Sequence, residues 1–122
     1  MKRSMLFWVI ATEPELKALR RLRALDQKVR IGPYDLFHNA WEDEWVIRGG
    51  IGAIDTSMSI GFLAAHFAHI PQKVFGNVGI AGARGAEVGQ AFAVNKVSSA
   101  VTGRSYYPGR IPHQGLASMP CI

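Results

Sequence analysis

Cysteine is nearly absent. Cys121 is the single one, so no disulfide can close within the chain. That excludes the disulfide-stapled secreted scaffolds and fits a reducing cytoplasm. No apolar run reaches the roughly 18 residues that a membrane-spanning helix needs. Internal repeats and low-complexity tracts are lacking, and nothing resembles a Ser-His-Asp or Cys-His nucleophile set. Of the four histidines, His66 and His69 stand three apart, a spacing that could share a metal. No acidic or cysteine ligand lies near them in sequence, and the end of a helix favours histidine through its dipole alone. No metal and no cofactor is expected.

What is present suits one globular domain. The chain has 122 residues, 48% of them hydrophobic and 19% charged. The net charge is +5, and much of the excess lies in residues 17–30, as Lys17, Arg20, Arg21, Arg23, Lys28 and Arg30. A solvated helix face is the reading of that run. No aromatic interleaving or reader motif accompanies it, which argues against nucleic acid as a partner.

Residues 6–11 are apolar without polar alternation, as a buried central strand would be. A basic head precedes them, but Glu13-Pro14-Glu15 follows at once with no small-residue cleavage site, so a strand is expected here rather than a leader. Thr12 is a good helix N-cap, Pro14 suits a first turn, and Glu15 falls three residues after the cap. Leu16, Leu19, Leu22 and Leu25 should form the buried stripe, and Gly32-Pro33 ends that region. Residues 34–40 and 44–48 read as an antiparallel pair turning at Trp41-Glu42-Asp43. A second helix is expected over residues 55–69, capped by Asp55, Thr56 or Ser57. Ile54, Met58, Phe62 and Ala65 would lie on one face, widened by Leu63 and Phe67, with Pro71 as the stop. Being apolar nearly all round, this helix should be well buried. Residues 74–78 and 90–101 are further strands, and everything after Thr102 reads as irregular. The order predicts an α/β fold with a mixed, partly parallel sheet and flanking helices.

Three stretches could carry chemistry. Between the last two strands lies GNVGIAGARGAEVG, residues 76–89, with glycines at 76, 79, 82, 85 and 89. Such a loop at the carboxyl end of a sheet lets backbone N–H groups approach a ligand. A tight mobile turn is the other reading. Glu15, after a buried strand, could act as a general base, yet Thr12-x-x-Glu15 is also a capping box that needs no chemistry. Gly49-Gly50-Ile51-Gly52 joins a strand to a helix, where N–H groups attract anions. Asp55 would oppose a phosphate there, so close packing of loop on strand is the competing reading.

Together these pieces resemble the nucleoside phosphorylase and nucleosidase superfamily, closest to the methylthioadenosine/S-adenosylhomocysteine nucleosidases and hydrolases such as futalosine hydrolase. Residues 10–16 resemble the family's first strand and acidic helix start, and residues 48–53 its Gly-Ile-Gly turn. Residues 76–83 with Glu87-Val88-Gly89 resemble its Asn-x-Gly-x-Ala-Gly loop and the Val-Gly before the next strand. The resemblance runs from Leu6 to about Pro112 and implies the first half of a three-layer αβα fold. It also implies cleavage of the N-glycosidic bond of a purine nucleoside. The water-activating role falls on Glu15, and substrate contacts fall on Gly52, Asn77, Ile80, Ala81 and Gly82, largely through backbone. Phosphorylases carry Arg where this chain has Asn77, which favours water over phosphate as the nucleophile. Arg48 and Arg84 keep phosphorolysis open. Family members are about twice as long, and their second half supplies a ribose-binding Met-Glu segment and the Asp that protonates the purine. The expectation is therefore residues 1–104 as an N-terminal part of such a domain, residues 105–122 as an irregular tail, and either a homo-oligomer or a complementary second-half chain. A non-catalytic nucleoside-binding or partner-pairing protein of the same fold is the alternative.

Overall fold

The computed structural model describes residues 4–109 and 117–121, the last five as backbone only. These residues divide into two compact units, Met1–Ala81 and Gly82–Ile122.

The first unit is built on β1 (Ser4–Ile10), with α1 (Glu13–Arg23), β2 (Gln27–Ile31), β3 (Tyr34–His38), β4 (Glu44–Arg48), α2 (Ala53–His66) and β5 (Gln72–Gly76) following in order. The strands form a five-stranded sheet in the order β2-β3-β4-β1-β5. β1 runs parallel to both neighbours, with Ile10 opposite Arg48 and Trp8 opposite Gly76. β2, β3 and β4 are antiparallel to one another. The sheet is mixed and partly parallel, as the element order predicts.

Alternation along β1 assigns its two faces. Met5, Phe7 and Val9 point one way, joined by Leu36, Trp45 and Ile47, and α2 covers them with Leu63 before Phe67 and Ile70 complete the layer. Phe7 is 1% exposed and sits between the rings of Phe67 at 4.9 Å and Phe75 at 5.6 Å. Trp8 and Ile10 point the other way with Phe37 and Val46, under Leu16, Leu19 and Leu25. One helix therefore lies on each face.

Four expectations fail. Leu22 is 80% exposed, because steps of three residues drift backward on a 3.6-residue turn and carry it off the face that buries Leu16 and Leu19. The basic run is not one helix face. α1 stops where Ala24 turns left-handed at φ 53°, and Lys28 and Arg30 belong to edge strand β2, where both pair with Asp35 across the hairpin. α2 is not well buried. Only Ser59 and Leu63 are enclosed along its length, and Ile54 and Met58 face outward at 77% and 61% exposure. Its cap is Gly52, with no side-chain hydrogen bond, rather than Asp55, Thr56 or Ser57.

In the second unit, β6 (Phe92–Ser98) pairs antiparallel with β7 (Ser105–Tyr106) and parallel with β8 (Ala117–Cys121). These two strands stand where the sequence reads as irregular. Residues 110–116, with Pro112 and His113, lie outside the described residues. Among the described residues no helix is long and apolar enough to cross a membrane.

Candidate functional site

The carboxyl end of β1 is where the sheet changes direction. β1 leads into α1 on one face, and its neighbour β4 leads into α2 on the other. Adjacent parallel strands whose connections part in this way leave a crevice at their carboxyl ends. The last two carbonyls of β1 are used on opposite sides. Ile10 accepts from the Gly49 N–H at 2.9 Å on the β4 side. Val9 accepts from the Asn77 side-chain amide at 2.8 Å on the β5 side. Both loops are thus moored to β1 where they leave the sheet.

Glu15 stands in the first turn of α1, half-buried, next to this edge. The capping box that Thr12 and Glu15 spell is not formed. Thr12 has the extended backbone of an N-cap but makes no side-chain cap, and its hydroxyl donates instead to Glu15 Oε1. The other carboxylate oxygen, Oε2, accepts from the backbone N–H of Ile80 at 3.2 Å. Gly79 makes that approach possible. A Cβ built there would lie 2.7 Å from Oε2, closer than side-chain atoms tolerate. The glycine-rich loop and the acidic helix start therefore meet, 65 residues apart in sequence.

The Gly49-Gly50-Ile51-Gly52 turn flanks this edge from the β4 side. Gly50 and Gly52 hold φ of 96° and 95°, which L side chains rarely adopt. A Cβ on Gly49 would collide with Ser59 of α2, and one on Gly50 would meet the Asp55 carboxylate at 2.8 Å. Close packing explains the first two glycines, and Asp55 sits where an anion would have to come. Gly52 has no atom near its Cβ position and caps α2.

The structure hydrogen-bonds Ile80 to Glu15, with Ala81 next in the chain, and separately hydrogen-bonds Asn77 to Val9. Asn77 has its amide spent on Val9, and the side chain of Ile80 projects outward at 90% exposure. Gly82 falls in the second unit. Arg48 lies 3.4 Å from Glu13, within a polar groove of about 240 Å³ that also takes in Tyr34, Lys28 and Arg30. Each cation of that groove faces a carboxylate, Lys28 and Arg30 through Asp35. A second hollow, about 270 Å³ beside Ser4, Met5, Asp43 and Glu44, opens at the amino end of β1, away from Glu15. Among the described residues no group of three or more His, Cys, Asp or Glu could hold a metal ion.

Sequence reasoning missed the cluster at the amino end of β4. Glu44 is 7% exposed and accepts from Trp8 Nε1 at 2.9 Å and from Arg23 at 2.8 and 3.0 Å. Burial pushes its carboxyl up, but the Arg23 hydrogen bond, the Trp8 N–H and the Arg23 charge together hold it below the usual range. A charged residue opening an apolar strand was the available signal.

No protein-family model matches the chain, and no curated protein sequence matches it. Solved structures do. The 5'-methylthioadenosine/S-adenosylhomocysteine nucleosidase of Neisseria meningitidis, in complex with methylthio-immucillin-A, is similar over 98% of this chain and 62% of its own, with a TM-score of 0.68 and 17% identity. The Streptococcus pneumoniae MTA/SAH nucleosidase in complex with 8-aminoadenine matches over 77% of this chain and 42% of its own, with a TM-score of 0.62 and 25% identity. A futalosine hydrolase mutant of Helicobacter pylori matches over 78% and 43%, with a TM-score of 0.59 and 11% identity. The five-stranded sheet and its two helices match the first half of the nucleosidase fold. The chain spans between 42% and 62% of the length of these structures.

Proposed function

We propose that this protein cleaves the N-glycosidic bond of a purine nucleoside by hydrolysis, with Glu15 as the base that activates water. One observation carries the reading. A carboxylate and the main-chain N–H of a glycine-flanked loop meet at the carboxyl edge of the parallel β1–β5 pair. Glu15 takes a proton from water, and the hydroxide adds to the anomeric carbon. The C1′–N bond breaks, its electron pair leaves with the nucleobase, the nucleobase nitrogen takes a proton from solvent water, and Glu15 returns its proton to solvent. The same carboxylate stabilises the positive charge that develops on the ribose ring. Backbone at Gly79, Ile80 and Ala81 offers a wall for sugar and base, with Gly52 across β1. Nucleosidase neighbours of the same fold, solved with nucleoside-like and purine ligands, support that substrate class.

Water is favoured over phosphate. A phosphate dianion calls for a free guanidinium fork. Arg48, the cation of the first unit that could supply it, is engaged by Glu13. Arg84 belongs to the second unit.

The test is release of adenine or hypoxanthine from a panel of nucleosides. Glu15→Gln keeps the shape and the Ile80 contact but removes the base, so turnover falls by about 10² or more with an unchanged melting temperature. Equal turnover by Glu15→Gln and the parent chain would remove Glu15 from the mechanism. The second reading is a non-catalytic protein of this fold that binds a nucleoside or pairs with a second copy of itself. The outward apolar residues Ile51, Ile54 and Met58 favour it. Nucleoside binding by calorimetry without product, together with a dimer in sedimentation, is the result it predicts.

A further inference from the structure

We infer that Asn77 is a positioning residue, which sets the Ile80 N–H against Glu15 by taking over a rung of the β1–β5 ladder with its side chain. The inference rests on the reading of Glu15 as the base. The backbone pairing of β1 with β5 ends at Trp8 opposite Gly76. Val9 comes next on β1, and its carbonyl points to the β5 side, because that of Ile10 points to β4. A continuing strand would satisfy Val9 with a main-chain N–H. Here the Asn77 amide satisfies it at 2.8 Å. The main chain is then free to leave the sheet without orphaning a carbonyl, which is costly for a partly buried group.

Where the chain goes next is the consequence. Two residues on, Gly79 lies against Glu15 Oε2, and the following N–H donates to it. A backbone-paired residue 77 would carry the segment straight on along β5 and away from α1. Asn77 thus converts a strand end into a turn aimed at one carboxylate, and its amide is committed to Val9 rather than to a ligand.

Two substitutions separate this role from a substrate contact. Asn77→Asp keeps size but cannot donate, and places a charge against the Val9 carbonyl. Asn77→Ala removes the strut without adding charge. The first readout needs no turnover: amide exchange at Ile80, followed by NMR in the full chain. The parent protects this N–H through Glu15, and Glu15→Ala marks the unprotected rate, about fivefold faster. Both Asn77 variants should reach that rate while amides of β1 and β4 keep theirs. The second readout is the kinetic split, a fall in kcat of tenfold or more with KM within about threefold. Parent-like exchange at Ile80 in both variants overturns the inference, as does a rise in KM with kcat retained, which would make Asn77 a substrate contact. Should Asn77→Asp fail to fold, Asn77→Ala alone decides by the same criteria. Failure of the Glu15 reading shows separately, as turnover unaffected by Glu15→Gln.

Discussion

Adding one methyl group at Gly79 should separate the chemistry of Glu15 from the stability of the fold. The Cβ of Gly79→Ala would stand 2.7 Å from Glu15 Oε2, and ordinary contact begins near 3.4 Å, so the carboxylate must retreat by about 0.7 Å. It can do so, because the clashing atom is the far end of a flexible side chain. The retreat stretches the 3.2 Å bond from the Ile80 N–H beyond hydrogen-bonding range. Losing that bond costs about 0.5–1.5 kcal/mol. Gly79 is not at positive φ, so alanine also lowers the entropy of the unfolded chain, which stabilises by about 0.4–1 kcal/mol. The two effects are of similar size and opposite sign, and the melting temperature should move by less than about 5 °C. Catalysis has no such compensation. A misplacement on the order of 1 Å costs about 10²-fold when the group must lie against the reacting atom. The assay is nucleoside cleavage beside thermal unfolding of the same preparation. Full activity in a stable Gly79→Ala variant would refute the placement of Glu15, and a loss of several kcal/mol would show that Gly79 serves the fold instead.

Two perturbations probe packing and charge in the sheet, one at the carboxyl end of β5 and one at the amino end of β4, away from Glu15. Gly76→Ala directs its Cβ to within 2.9 Å of the Trp8 ring, a rigid neighbour packed on the α1 side of the sheet, so overpacking should cost about 1–3 kcal/mol in urea unfolding; an unchanged midpoint would mean that the ring moves freely. Arg23→Ala should cost about 1 kcal/mol at pH 7, a value discounted because the Arg23 side chain is 53% exposed. In the parent, Glu44 titrates below its ordinary 4.5, so its contribution is full above that value and is lost as pH falls through the depressed one. Without Arg23, burial dominates and lifts the carboxyl, and the local slope of stability against pH around 4–5 should reverse; identical slopes would exclude Arg23 as the cause.

The parts of this fold legible in the sequence were those set by short-range pattern. The apolar run of β1 and the β3–β4 pair follow from alternation and turn chemistry, whereas Gly32-Pro33, expected to end the first helical region, turns β2 into β3. What misled were residues whose side chains serve two backbones. Lys28-Val29-Arg30-Ile31 alternates as a strand should, but its charges continue those of α1, and the break at Ala24 carries neither Gly nor Asn to announce it. In α2 the apolar residues surround the helix, so composition could not choose a face. The choice was made by Ser59, whose small hydroxyl donates back to the Thr56 carbonyl at 2.9 Å and lets the helix start lie on Gly49. The acidic start of α1 and the glycine loop were both visible, but their meeting is a long-range contact and no local pattern encodes it.

Thr12-x-x-Glu15 shows why local reading runs out there. As a capping box, the pair would turn inward on the helix's own N–H groups. Here the carboxylate turns outward, held by a hydroxyl and a main-chain N–H, with no cation in ion-pair range among the described residues. Its neighbour Glu13, two residues earlier in the same turn, is matched with Arg48. Glu13 is thus taken up in an ion pair, whereas Glu15 is held only by neutral donors. Glu13→Gln should accordingly leave turnover within about threefold if the released Arg48 stays in its groove, while Glu15→Gln removes it. If the two substitutions cost turnover equally, the relevant quantity is the negative charge of the helix start as a whole, and no single carboxylate is the base.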